Sequence, residues 1–276
     1  SFIGHQDAVV RLGFSADGAL VASIGADGSV RAWDAHSGLP RPWYGRAPLR
    51  DPRRIAFSPG GTRLAVLSGT HVWFMDTETG ASLADVDLGE LHEDLAFLNE
   101  TELFLGSAGG ALRSLYADRT GNWHLRTVWS GTQRIRHVVI SPGRQQVVIV
   151  DAEQTARLLD PADGRVGERT LTMPSAVADV AFSPNESRVL FRTGRWIHRA
   201  IVSPDGLLWT DTVRAPKSLE NTSMTFDRGA SPGTAADDDG SGDTVLMLTR
   251  GTGLPELREL RFHYENGPAL FATRAT

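Results

Sequence analysis

The chain lacks cysteine altogether, and it contains only one lysine, Lys217, among its 28 basic residues. The absence of cysteine excludes disulfides, thiolate metal sites and a cysteine nucleophile. No apolar run reaches the roughly 18 residues that a membrane-spanning helix needs, so we expect no membrane partner. The preference for arginine over lysine is typical of GC-rich coding sequence, and we therefore hypothesise a bacterial source.

Motifs for enzyme chemistry are also missing. The sequence has no GxxxxGK[ST] phosphate loop and no GxGxxG dinucleotide motif, and its one GxSxG match, at 229–233, lies in a segment rich in Gly, Ser, Ala and Asp. Its eight histidines form no HxH or HxxxH pair, so no metal site is predicted. With 33 acidic against 28 basic residues, the chain does not have the basic surplus of a nucleic-acid binder. We expect no catalytic residue, no cofactor and no nucleic-acid partner.

A repeat is present instead. Short apolar segments end at residues spaced by 43, 40, 43, 42 and 44 positions, namely Phe14, Phe57, Phe97, Ile140, Phe182 and Phe226. Four aspartates spaced by 42 residues open turns that end in glycine: Asp34, Asp76, Asp118 and Asp160, with Gly38, Gly80, Gly121 and Gly164. Two series with one period indicate a repeat array.

Each repeat has the pattern of four short strands. Apolar or alternating runs bounded by turn residues lie at 19–24, 62–67, 102–106, 145–150 and 187–193, and further runs follow each of them. Four antiparallel strands in every 40 to 45 residues, roughly, are the sequence form of a propeller blade. We therefore predict an all-β propeller with six four-stranded repeats.

The first repeat resembles a WD40 repeat. It contains Gly4-His5, then 14–18 (Phe-Ser-Ala-Asp-Gly) and then 27–34, which ends in Trp33-Asp34. This resemblance implies a buried hydrogen-bonded tetrad of His5, Ser23, Asp27 and Trp33, with a structural role. Later repeats depart from the pattern, since Met75, Leu115 and Leu159 stand where the tryptophan would be.

We predict a single domain, 1–276, and leave its closure open. The blades are expected at approximately 4–46, 47–88, 89–130, 131–172, 173–214 and 215–276, with a long loop at 228–242. One alternative is a closed six-bladed ring. The other is a seven-bladed ring of which six blades are present here, in a fragment of a longer protein.

One candidate partner-binding patch lies in a stretch rich in arginine and aromatic residues. It comprises Arg41, Trp43, Tyr44, Arg46 and Arg50. Arginine and tryptophan are enriched among the residues that dominate binding energy at interfaces. The alternative is that Trp43 packs between blades and that the arginines are solvated.

The resemblance implies a scaffold or sensor that binds proteins through its loops and faces. We expect a non-catalytic, cytoplasmic module in the C-terminal part of a larger bacterial signalling protein. Its partners would be proteins or other domains of its own chain. The alternative function is a propeller enzyme, or a binder of small ligands or metals, that uses the central channel.

Overall fold

The computed structural model of the chain consists of strands and the turns between them. It describes residues 5–41, 49 and 51–214, and the backbone alone of 45–46 and of four later strands, 223–226, 244–248, 257–262 and 271–275. The predicted loop 228–242 lies outside the described residues. In the described part of the chain no helix is long and apolar enough to cross a membrane.

Within these ranges, 24 strands form six four-stranded antiparallel sheets in which each strand pairs with the next along the chain. Sheet one contains β1 (Val9–Phe14), β2 (Leu20–Gly25), β3 (Ser29–Asp34) and β4 (Gly45–Arg46). Sheet two contains β5 (Pro52–Phe57), β6 (Arg63–Ser68), β7 (His71–Asp76) and β8 (Ser82–Asp87). Sheet three contains β9 (His92–Asn99), β10 (Glu102–Ser107), β11 (Ala111–Ala117) and β12 (Trp123–Ser130).

The last three sheets follow the same plan. Sheet four contains β13 (Ile135–Ile140), β14 (Val147–Asp151), β15 (Thr155–Leu159) and β16 (Leu171–Thr172). Sheet five contains β17 (Asp179–Phe182), β18 (Arg188–Thr193), β19 (Trp196–Ser203) and β20 (Gly206–Arg214). Sheet six contains β21 (Ser223–Phe226), β22 (Thr244–Leu248), β23 (Leu257–Phe262) and β24 (Phe271–Ala275). The predicted class, six four-stranded antiparallel repeats, is confirmed.

The chain divides into two compact units. The first comprises residues 1–140, 149–152 and 160–165, and the second comprises 141–148, 153–159 and 166–276. The predicted single domain, 1–276, therefore stays a prediction.

Serine side chains hold the first hairpin of a sheet together. Among the described residues, a buried serine follows the first strand of sheets one, two, four and five: Ser15, Ser58, Ser141 and Ser183. In each, the hydroxyl accepts a hydrogen bond from the backbone N–H five residues later, over 2.9 to 3.2 Å. The serine hydroxyl therefore satisfies a backbone N–H group within the tight turn.

The aspartates with the 42-residue spacing close the turn after the third strand. Their side chains accept a backbone N–H two or three residues later, over 2.7 to 2.8 Å. The glycine that ends each turn has a φ between 70° and 87°. Since a Cβ disfavours that region, the paired spacing of aspartate and glycine is a requirement of the turn.

Apolar layers between successive sheets form the core of the first unit. Between sheets one and two, Ala22, Ile24, Val30 and Ala32 pack against Leu64, Val66, Trp73 and Met75. Between sheets two and three, Ala65, Leu67, Val72 and Phe74 pack against Leu95, Phe97, Leu103, Leu105 and Leu115. Alternate side chains of a strand therefore enter different layers, as the period of two requires.

Candidate functional site

A buried polar cluster joins the start of sheet one to its second and third strands. His5 Nε2 lies 2.6 Å from Ser23 Oγ, and His5 Nδ1 lies 2.8 Å from Ser29 Oγ and 3.3 Å from Asp27 Oδ1. The backbone N–H of Gln6 donates to Asp27 Oδ2 over 2.8 Å. A Cβ on Gly25 would overlap His5 and Asp27, so glycine there allows the ring to approach the strand.

Asp27 is held ionised in this cluster. Burial opposes ionisation, but hydrogen bonds from the Ser29 hydroxyl, from the backbone N–H groups of Gln6 and Ser29, and from His5 outweigh it. Together they lower the pKa of Asp27 well below its usual range. An ionised acceptor with several donors makes stronger hydrogen bonds than a neutral one.

Trp33 completes the cluster by packing. Its ring meets the ring of His5 edge-on, with centroids 6.3 Å apart, and only 5% of the residue is exposed. The structure therefore brings together all four residues of the predicted tetrad. It adds Ser29, whose hydroxyl donates to Asp27 Oδ1 over 2.6 Å.

A second buried histidine lies in sheet five. His198 Nε2 is 2.6 Å from Thr193 Oγ1 and its Nδ1 is 3.0 Å from Thr212 Oγ1, on the two neighbouring strands. Burial lowers the pKa of His198 below its ordinary value. The ring of Trp209 lies against it, with centroids 5.1 Å apart.

Sheet five exposes aromatic surface above this histidine. Trp196 is 45% exposed and Trp209 is 41% exposed, although both belong to regular strands. The guanidinium of Arg214 stands 5.5 Å from the centroid of the Trp196 ring, within the range of a cation–π interaction. We call Trp196, Trp209 and Arg214 the sheet-five surface.

Strand geometry places these residues on one face. Trp196 pairs with Arg214, His198 with Thr212, and Ala200 with Trp209, with a bulge between the last two pairs. β20 packs against β15 and β16 of sheet four, and β16 contains two residues. So short a strand covers little of the face that carries the tryptophans.

Comparison with known proteins finds one family match and one similar solved structure. Residues 1–34 match the family described as "WD domain, G-beta repeat". This segment is therefore similar to a WD40 repeat. The chain resembles the β-propeller domain of Cps50 (Swd1) from Myceliophteria thermophila, with a TM-score of 0.73 and 13% identity over 99% of this chain and 87% of that domain. No curated protein matches the sequence.

The structural likeness identifies the fold of the whole chain as a β-propeller. The predicted WD40 resemblance is therefore confirmed, and the departures after the first repeat are compatible with the same fold. In sheet three, for example, Leu115 occupies the position of the WD40 tryptophan and belongs to an apolar layer. Within sheets one to five, turns and alternation recur more widely than the polar tetrad does.

The predicted partner-binding patch falls largely outside the described residues. This is so for Trp43, Tyr44 and Arg50 and for the side chain of Arg46, so the patch stays a prediction. Arg41 is half-buried, and its backbone N–H donates to Ala32 O over 2.9 Å.

Charged residues at the starts of the first strands pair with one another in this propeller. Glu93 lies 3.2 Å from Arg53 and 3.1 Å from Arg134. Asp94 lies 2.8 Å from Arg54 and accepts the backbone N–H of Val138 over 2.9 Å. Among the described residues, no group of three or more His, Asp or Glu side chains is arranged to hold a metal ion.

Sequence reasoning missed the sheet-five surface. Trp196, His198 and Trp209 match no position that the WD40 pattern marks, and alternation assigns each side chain to a face without showing whether that face is covered. In the structure, eleven residues, 160–170, separate β15 from the two-residue strand β16.

Proposed function

We propose that the chain is a non-catalytic module for protein–protein interaction, a scaffold or sensor that binds a protein partner through the sheet-five surface. WD40 propellers generally serve as scaffolds for protein partners, which supports the class of function. Among the described residues, the exposed tryptophan and arginine side chains of this surface support its assignment as the binding site.

The exposure of two tryptophans beside an arginine carries the proposal. Tryptophan and arginine are among the residues most enriched in binding hot spots, because a large apolar or planar surface loses water when a partner covers it. Exposed aromatic area on a rigid sheet costs little entropy on binding, since the backbone is already ordered. His198 beneath Trp209 is fixed by two threonine hydroxyls, so the support of the surface is preorganised.

The wider context of the module is also a proposal. We place it in the cytoplasm of a bacterium, in the C-terminal part of a larger signalling protein, where it docks a partner or another domain of its own chain. The single lysine among 28 basic residues supports a GC-rich bacterial gene. The Cps50 (Swd1) propeller, at 13% identity, supports the fold alone.

Affinity capture with matched variants tests the location. The immobilised chain is incubated with lysate of the cells that produce it, and retained proteins are quantified by mass spectrometry. We expect at least one protein whose capture falls about tenfold or more with W196A/W209A, since each lost hot spot costs more than about 1 kcal/mol. R214A should reduce the same protein.

Two control variants remove similar exposed groups elsewhere. L83A removes a side chain that is 49% exposed on β8, and R126A removes an arginine that stands 5.9 Å from the ring of Tyr116 in sheet three. Both controls should retain the partner. Equal capture by the wild type and by W196A/W209A would show that the surface does not bind it.

A further inference from the structure

The last strand of sheet five, β20, is an edge strand. Among the described strands it pairs with β19 alone. It contains nine residues, whereas the last strands of sheets one and four, β4 and β16, contain two each. An edge strand presents a row of backbone N–H and C=O groups to which a further strand can hydrogen-bond. β20 contains neither lysine nor proline, the residues that often block such pairing.

The start of this edge already holds a piece of chain from outside sheet five. Arg169, which lies shortly before β16, forms a parallel bridge with Gly206. Its backbone N–H donates to Asp205 O over 2.8 Å, and its carbonyl accepts the N–H of Leu207 over 3.2 Å. Two glycines allow this approach, because a Cβ on Gly206 would overlap Arg169 O and a Cβ on Gly167 would overlap Gly206. The first part of the edge therefore accepts an added strand.

Beyond Leu207, no backbone group of the described residues pairs with the edge. In an antiparallel pair, the backbone groups of successive residues point alternately towards the partner strand and away from it. Leu207 points away from β19, and so does Trp209. The bulge at Thr210 shifts the alternation by one residue, so Thr212 and Arg214 follow. Trp209, Thr212 and Arg214 are all exposed, and their backbone groups face outward at an open edge.

The last strand of sheet three offers a comparison. β12 contains eight residues, but its Trp123 stacks on Phe74 of sheet two, with ring centroids 4.2 Å apart. In sheet five, Trp196 and Trp209 are 45% and 41% exposed on the strands that form the edge. Side chains of a strand that pairs with β20 would contact its cross-strand neighbours on the face with the tryptophans. Sheet five therefore combines an open edge with aromatic rings that an added strand can cover.

The charge of the edge indicates which side chains such a strand carries. Asp211, the acidic residue of β20, is paired with Arg199 of β19. Arg214 is exposed, and its guanidinium stands 5.5 Å from the centroid of the Trp196 ring. An acidic side chain opposite Arg214 gains a charge-assisted hydrogen bond in addition to the backbone pairing. The edge therefore favours a strand with apolar and acidic side chains.

We propose that the outer edge of β20, from Trp209 to Arg214, binds an extended segment of the partner protein by strand addition. Apolar side chains of the segment pack on Trp196 and Trp209, and an acidic side chain pairs with Arg214. Main-chain hydrogen bonds give affinity in this mode of recognition, and the side chains give specificity. This inference rests on the proposed function, since it describes how the partner binds the sheet-five surface.

Peptide selection supplies a defined ligand for the test. A phage-displayed library of random peptides of about ten residues is selected on the immobilised wild-type chain. Peptides that bind it at least about tenfold more tightly than W196A/W209A are then synthesised. We expect them to share alternating apolar residues and at least one Asp or Glu. If no peptide depends on the two tryptophans, no extended segment binds at this edge.

Thr212 provides a matched pair of variants. T212A removes the hydroxyl and keeps the backbone N–H, whereas T212P removes both, and proline is tolerated where the N–H of an edge strand faces outward. In fluorescence anisotropy, the selected peptides should bind T212P at least about tenfold more weakly than T212A. Equal Tm values for the two variants show that the difference is not one of folding. Equal affinity for the two variants would overturn strand addition.

N-methylation of the peptides tests the same hydrogen bonds without changing the protein. Methyl groups on alternate amides should weaken binding by about tenfold or more in one register and by less than about threefold in the other, because only every second N–H of an added strand faces β20. Equal effects in the two registers would overturn strand addition. The proposed function would survive that result if capture of the partner still fell with W196A/W209A, and it fails only if that capture is unchanged.

Discussion

Sheets one and five each bury a histidine between hydroxyl groups, but they differ in the tryptophan beside it. In sheet one, His5 contacts the hydroxyls of Ser23 and Ser29, and Trp33 is 5% exposed. In sheet five, His198 contacts two threonine hydroxyls and Trp209 is 41% exposed. The same local chemistry therefore supports a buried ring in one sheet and a surface ring in the other.

The surroundings of the two histidines explain the difference. Asp27 anchors His5 as an ionised acceptor, so the polar cluster of sheet one is tied into the fold from three segments of the chain. Among the described residues, the side-chain hydrogen bonds of His198 go to two neutral threonine hydroxyls, and the neighbouring strand β16 contains only two residues. We infer that the first arrangement serves stability and that the second holds a binding surface in place.

The largest expected difference in stability is between alanine substitutions of the two tryptophans, Trp33 and Trp209. Trp33→Ala should lower the free energy of unfolding by about 4 kcal/mol, because removing the buried indole ring leaves a cavity in its place. Trp209→Ala should lower it by less than about 1.5 kcal/mol, because much of that ring is already in water. Urea unfolding followed by circular dichroism measures both, with equal m-values as the control. Equal losses would remove the distinction between the two sheets.

Asp27→Asn should have an intermediate effect that depends on pH. At pH 7 we expect a loss of about 2 kcal/mol, since a charged acceptor is replaced by an amide. The folded pKa of Asp27 lies below its ordinary value of 3.8, so its ionisation contributes stability above that pH, and the contribution is lost as pH falls through the folded pKa. The difference between wild type and variant, measured by urea unfolding, should therefore shrink below about pH 4. A constant difference down to pH 2 would contradict the account.

His198→Gln should have the smallest effect, about 1 kcal/mol at pH 7, because the amide can still bond one threonine. Burial lowers the pKa of His198 below 6.5, so the unfolded chain binds a proton that the folded chain excludes. The free energy of unfolding of the wild type should therefore fall as pH falls from 6.5 to the folded pKa of His198. Above pH 6.5 this histidine should make no pH-dependent contribution. The variant should lack the part of this slope that His198 contributes. Urea unfolding at pH 7 and pH 5 measures this difference. An equal change in the free energy of unfolding between the two pH values for wild type and variant would contradict a buried neutral His198.

Much of the fold follows from the sequence because turns require particular residues. The aspartates and glycines with the 42-residue spacing close turns that need a side-chain acceptor and a positive φ, so they locate the third strands directly. The first repeat also predicts its tetrad, since its residues fit the WD40 pattern. Ser29 was missed because it takes part through geometry that the pattern does not specify.

The sheet-five surface could not be predicted in the same way. Exposure of Trp209 depends on how far β16 extends beside it, and no motif in the sequence marks the length of that two-residue strand. Leu12 and Phe14 pose the same problem. Their sequence pattern equals that of Leu95 and Phe97, yet Leu12 and Phe14 are 42% and 51% exposed whereas Leu95 and Phe97 are 5% and 7% exposed.

Hydrogen exchange of the chain, with and without the captured partner, tests the division between a structural first sheet and a binding fifth sheet most directly. The partner should slow amide exchange in β19 and β20, around Trp196 and Trp209, and leave β2 and β3 unchanged. Slowed exchange in β2 and β3, with none in β19 and β20, would contradict the account.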